Sequence, residues 1–125
     1  MRAFLAGFVL LAAGLAQASY AAETVCEMDR RVVAACRDVH GRLRVNANSR
    51  VYLWPVGTSR LLGIAFASDA PNADFFLPDN VRSMLTPTME VWGDFRVCPF
   101  TAQKSGNLQI VCVERASRLA VRAIR

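Results

Sequence analysis

From residue 41 onward, apolar and polar positions alternate along most of the chain. Leu43, Val45 and Ala47 alternate with Arg42, Arg44 and Asn46, and Val51 and Leu53 alternate with Tyr52 and Trp54. A period of two is the mark of a half-buried strand. The stretch 46–49 is turn chemistry, and Gly57, Thr58 and Ser59 form the next turn. Residues 60–67 are more continuously apolar and predict a third strand, in which Gly63 suggests a bulge or a barrel corner. A polar loop over 68–74 follows. Leu77, Val81, Met84 and Leu85 then recur at helical spacing, with Pro78 suited to a first turn and Pro87 to a stop, so a short helix is expected over 77–85.

Two apolar runs over 91–114 flank a polar turn at Lys104, Ser105, Gly106 and Asn107. Folded about Ser105, this hairpin sets Cys98 opposite Cys112, Arg96 opposite Glu114 and Phe100 opposite Ile110, pairs that an antiparallel ladder favours. Val91, Phe95, Val97, Val111 and Val113 then share one face, with Trp92, Asp94 and Arg96 on the other. In the tail, Leu119, Val121 and Ala123 fit a closing strand, although Ala116, Leu119, Ala120 and Ala123 also fit a helix face; the strand continues the preceding pattern. Residues 26–37 admit both readings as well. Met28, Val32 and Ala35 could line a helix, and Val32, Val33, Ala34 and Ala35 could form a short buried strand.

The first residues change the picture. Met1 and Arg2 precede an uncharged apolar run over 3–15, followed by small residues at Ala16, Ala18, Ser19 and Ala21. This is a signal-peptide pattern over 1–21, with cleavage after residue 18 or 21. The run is shorter than the roughly 20 residues of a membrane span, and Cys26 lacks the small-residue context of a lipoprotein. Residues 22–125 then form a single domain, exported to the periplasm or secreted. Cys26, Cys36, Cys98 and Cys112 all lie in that part. An even count in an exported chain fits two disulfides. The register selects Cys98 with Cys112, closing a loop worth about 3 kcal/mol. Cys26 and Cys36 remain; a straight helix would hold them about 15 Å apart, beyond disulfide reach, so this pairing needs a bend between them. No cysteine pair has zinc-ligand spacing, and His40 stands alone.

The order of three strands, a short helix and two or three further strands predicts an all-β fold: a small OB-like antiparallel barrel stapled by disulfides. Gly41, Arg42 and Leu43; Tyr52, Leu53, Trp54 and Pro55; and Val91, Trp92, Gly93, Asp94 and Phe95 resemble the cores of small secreted bacterial OB-like proteins, over residues 36–121. The resemblance is one of topology and carries over no functional residue. It implies a binder of small cations, oligosaccharides or other envelope components.

Candidate chemistry points the same way. His40 precedes a glycine at a strand start, and no serine lies in a nucleophile elbow. Asp69, Asp74 and Asp79 lack the EF-hand spacing, and there is no glycine-rich phosphate loop. The expectation is a non-enzymatic module with no cofactor and no metal. The chain carries +5 at pH 7, or +4 once Arg2 leaves with the leader, and every basic residue except Lys104 is arginine. An arginine surplus suits an anionic partner or merely a solvated surface. Tyr52, Trp54, Trp92, Arg42, Arg44, Arg60 and Arg96 are the candidate ligand residues, since OB barrels stack sugars or bases on such side chains. The competing reading buries Trp54 or Trp92 under the tail or the N-terminal segment. Export argues against nucleic acid. Two functions follow: an envelope polyanion or saccharide binder, or a protein-interaction or inhibitor module acting through a Cys98–Cys112 hairpin.

Overall fold

The computed structural model describes residues 26–125, so the leader pattern over 1–21 lies outside the described residues. Alternation becomes five strands: β1 (Arg37–Val45), β2 (Val51–Pro55), β3 (Leu62–Ile64), β4 (Met89–Pro99) and β5 (Gln109–Ala123). They close into a barrel in the order β1-β2-β3-β5-β4, with β4 returning to β1. The expected all-β class is therefore the observed one. One detail differs from a purely antiparallel barrel: β3 and β5 run parallel, and the other four pairings are antiparallel. A parallel pair needs a long crossover, which residues 65–108 supply.

Inside, Leu43, Leu53, Val91, Phe95, Val97 and Val113 are fully buried, joined by Leu77 and Val81 from the crossover. The inward set expected for β4 and β5 is the one observed. The tail is strand: it forms the second half of a continuous, bent β5.

The bend comes from two irregularities in the β4–β5 ladder, between Trp92 and Asp94 and between Arg96 and Val97. Val97 faces Val113 and Cys98 faces Cys112, as the hairpin register requires. Beyond Val97 an extra residue, Glu114, enters β5, so Arg96 faces Arg115 and not Glu114. A bulge of this kind re-aims a side chain. Here the Glu114 carboxylate leaves the ladder and accepts the backbone N–H groups of Cys26 (2.7 Å) and Glu27 (2.8 Å). The other irregularity places Arg118 at φ 51°.

The disulfides correct the expected pairing. Cys26 joins Cys112 and Cys36 joins Cys98. Cys98 and Cys112 are opposed in the ladder, yet each bonds the N-terminal segment that crosses outside them. That segment is neither helix nor strand; turns close from Asp29 to Cys26 and from Val32 to Asp29, and Val33 N–H reaches the Pro99 carbonyl. It packs the half-buried Val32 into a second small core with Phe76, Phe100 and the cystines. Met28, expected on an apolar face, is 83% exposed, and Val33 is 60% exposed. The pairing missed from sequence depends on a segment whose apolar positions fit both a helix face and a strand and which forms neither.

Two local expectations also shift. The helix is a single turn, α1 (Asp79–Arg82), not 77–85; Leu77 and Val81 are buried while Met84 stands partly exposed. One turn suffices to seat Leu77 and Val81 on the core. Gly63 is not a bulge: it pairs in register with Tyr52 and Ile110. A Cβ there would lie 2.8 Å from Ile110 Cδ1 and 2.9 Å from Leu108 Cδ2, so a larger residue would have to push those two side-chain ends aside. The tip turn lies where expected, closed by Asn107 N–H on the Lys104 carbonyl, with Gly106 at φ 80°.

Candidate functional site

In β1, Gly41 and Leu43 point inward, so Asp38, His40, Arg42 and Arg44 project outward. β1 lies between β2 and β4, and register therefore decides what each outward residue meets. Arg42 is flanked by Trp54 on β2 and Trp92 on β4, and Arg44 lies beside Tyr52. The Arg42 guanidinium carbon lies 5.0 Å from the Trp54 ring centre and 5.7 Å from that of Trp92, within cation–π range. The two indoles meet edge to face, 6.1 Å apart at 85°.

Both ring N–H groups are engaged, which orients the rings. Trp54 Nε1 donates to the Thr58 carbonyl at 2.8 Å, and Trp92 Nε1 donates to Glu90 Oε1 at 3.0 Å. The other Glu90 oxygen lies 3.6 Å from Arg42 Nε and 3.9 Å from Arg44 Nε. These distances give charge attraction without a good hydrogen bond, and Arg42 Nε is buried with no hydrogen-bond partner among the described residues. From β5, Arg122 lies 5.4 Å from the Trp92 ring centre. Arg42, Arg44, Arg122 and Arg125 thus surround a depression whose single acidic side chain is Glu90.

The neighbouring outward rows of β1 and β4 are different in kind. Asp38 pairs with Arg96 at 3.7 Å, and His40 Nδ1 lies 2.8 Å from Asp94 Oδ1, which also pairs with Arg118. The His40 hydrogen bond, helped by Arg118, holds the Asp94 carboxyl below its ordinary value against an opposing desolvation. Here every acid has its cation.

Of the predicted ligand residues, the fold brings together Arg42, Arg44, Tyr52, Trp54 and Trp92. Arg96 lies in the ion-paired row, and Arg60 lines a separate depression with Lys104 and Leu108. The gathered face spans β2, β1 and β4, with β5 at its edge. Both indoles are half-buried, but the cover comes from each other and from arginines, since the N-terminal segment lies over the cystines instead. Sequence reasoning missed Glu90, Arg122 and Arg125. Alternation around Val91 puts Glu90 on the Trp92 face, so that signal was present. Arg122 depends on two bulges that leave no sequence mark. As for metal, the sulfurs of Cys26, Cys98 and Cys112 lie within 4.8 Å of one another, but each is in a disulfide and offers no thiolate. Compared with known proteins, the chain matches no family model, no curated protein and no solved structure.

Proposed function

We propose that the protein is an exported, OB-like binding module, not an enzyme, that holds an envelope polyanion or acidic saccharide on the Trp54–Arg42–Trp92 face. One observation carries the reading: a guanidinium seated against two oriented indoles, among arginines that outnumber the acid between them. Indole faces stack sugar rings, and guanidinium groups pair with carboxylate, phosphate or sulfate. The same arginines without a ligand repel one another, so an anion relieves a cost already present. Support for export comes from the leader pattern and from two disulfides; among the described residues no helix is long and apolar enough to cross a membrane. Support for the OB-like reading comes from the closed strand order with α1 between β3 and β4. Periplasm or secretion outside the cell fits the same features and disfavours nucleic acid as the ligand.

Trp54 and Trp92 are the two tryptophans of the chain, so intrinsic fluorescence reports this face alone. Titration with dextran sulfate should shift the emission, weaken with added salt, and fall by roughly tenfold or more in affinity in Arg42→Ala or Trp92→Ala. Neutral dextran acting as strongly as its sulfate, or no response to either, sinks the reading.

A second reading rests on residues 101–108, all of which are exposed: the hairpin loop presents Lys104 and Asn107 to a protein partner. Equal recovery of a defined partner by wild type and by the double variant Lys104→Ala with Asn107→Ala would remove it.

A further inference from the structure

Arg44 and Ile124 each line two depressions. One is the arginine depression around Glu90; the other is an open groove of about 850 Å³ that also includes Val45, Tyr52, Pro87, Leu61 and Leu108. Its volume lies in the roughly 300–1,000 Å³ range of ligand sites. Its lining is mainly aliphatic, and two large side chains at it are left in water: Leu61 is 50% exposed and Leu108 44%. Apolar surface gathered beside a cation cluster marks a recognition surface more than a solvated one.

We infer that this groove takes the acyl chain of a phosphate-headed lipid, with the head group held by Arg44, Arg122 and Arg125. The inference rests on the anion-binding reading above and narrows its ligand class. A saccharide would use the guanidinium groups and leave the leucines wet. A neutral hydrocarbon would cover the leucines and leave the arginines uncompensated. A second copy of the exported chain would bring a net charge of +4, Arg2 having left with the leader, against another +4. An anionic amphiphile satisfies both depressions at once, and Arg44 can lay its methylene stem along the groove while its head faces the phosphate.

Octyl, decyl and dodecyl phosphate, titrated below their micelle concentrations by calorimetry, separate the two halves of the site. Affinity should rise by about fourfold for each methylene that becomes buried. Leu61→Asp and, independently, Leu108→Asp should flatten that dependence. Both positions are largely exposed, and circular dichroism checks that each variant folds. Arg44→Gln should weaken all three ligands by a common factor, roughly tenfold, and leave the chain-length dependence intact. Equal affinity for all three alkyl phosphates in the wild type, or a dependence that survives both leucine variants, overturns the inference. If dextran sulfate still binds in that case, the anion-binding face stands and the lipid assignment alone fails. If neither dextran sulfate nor any alkyl phosphate binds, both fall.

Discussion

Strand β4 has two outward ends with opposite fates. At one end Cys98 is sealed beneath residues 26–36, bonded to Cys36 and packed near Val32, Phe76 and Phe100. At the other, Trp92 lies half-open beside Arg42 and Arg122. The barrel interior does not decide this, since Val91 and Val97 are equally buried behind the two. The difference lies in what is available to cover each end. The cystine end has a chain segment tethered by two disulfides, by the Glu114 carboxylate and by Arg31. Among the described residues, the aromatic end has only long charged side chains, whose charges are not balanced. Covered apolar surface is architecture; a cation surplus on half-covered aromatics is where the proposed ligand would sit. Between them, the Asp38–Arg96 and His40–Asp94–Arg118 contacts form a row in which opposite charges meet.

The largest effect should come from uncovering the sealed end. The double variant Cys36→Ser with Cys98→Ser removes a bridge between residues 62 apart in sequence, and should lower stability by about 4 kcal/mol. Thermal or denaturant unfolding measures this. Non-reducing peptide mapping should recover Cys26 linked to Cys112 and Cys36 linked to Cys98. A Cys98–Cys112 peptide would show that the segment does not cover this end and would remove one side of the comparison.

A smaller effect, confined to binding, should separate the open end from the paired row. The double variant His40→Ala with Arg118→Ala should leave dextran sulfate affinity within about twofold of wild type, because those charges are already matched. An effect as large as that of Arg42→Ala would mean that the anion site extends along the whole outer face.

The smallest effect concerns the tether. Arg31 donates to both carboxylate oxygens of Asp29 at 3.0 Å, reaches the carbonyls of Phe66 and Ala67, and lies 4.5 Å from the Phe100 ring centre. Its hydrogen bonds lower the Asp29 carboxyl from 3.8 to about 2. A depressed carboxylate adds stability that is present above its ordinary value and is lost as pH falls through its folded value. The window is therefore pH 3.8 down to about 2. In Arg31→Ala, Asp29 should titrate near its ordinary value by carbon-detected NMR, and the melting temperature should lose that part of its acid dependence. An unchanged Asp29 titration would show that Arg31 does not tie the segment down in solution.

The legible and illegible parts divide along the same line. Leu43, Leu53, Val91, Phe95 and Val113 announced their burial by alternation, because a strand half in water leaves a period of two in its sequence. The turn at 104–107 was legible for the same local reason, through Gly106. Arg42, Trp54 and Trp92 were each visible as outward residues, and alternation alone put them outside. Their meeting was not visible, because it depends on β1 lying between β2 and β4. Arg60 and Arg96 looked equivalent to Arg42 in sequence and are not: one lies by the β2–β3 turn, the other opposite Asp38.

The amino-acid sequence by itself determined the strands, the inside and outside of each, the tip turn and the direct opposition of Cys98 and Cys112. These follow from neighbours a few residues apart, where backbone geometry leaves little choice. Tertiary structure alone decided which sulfurs bond, where Glu114 points and which arginines gather around Glu90. The reason is physical: the apolar positions of residues 26–36 fit a helix face and a short strand alike, so only the surface they cover gives them a place. Bulges are equally silent, since a single extra residue in β5 changes every partner beyond it without changing the composition of the strand.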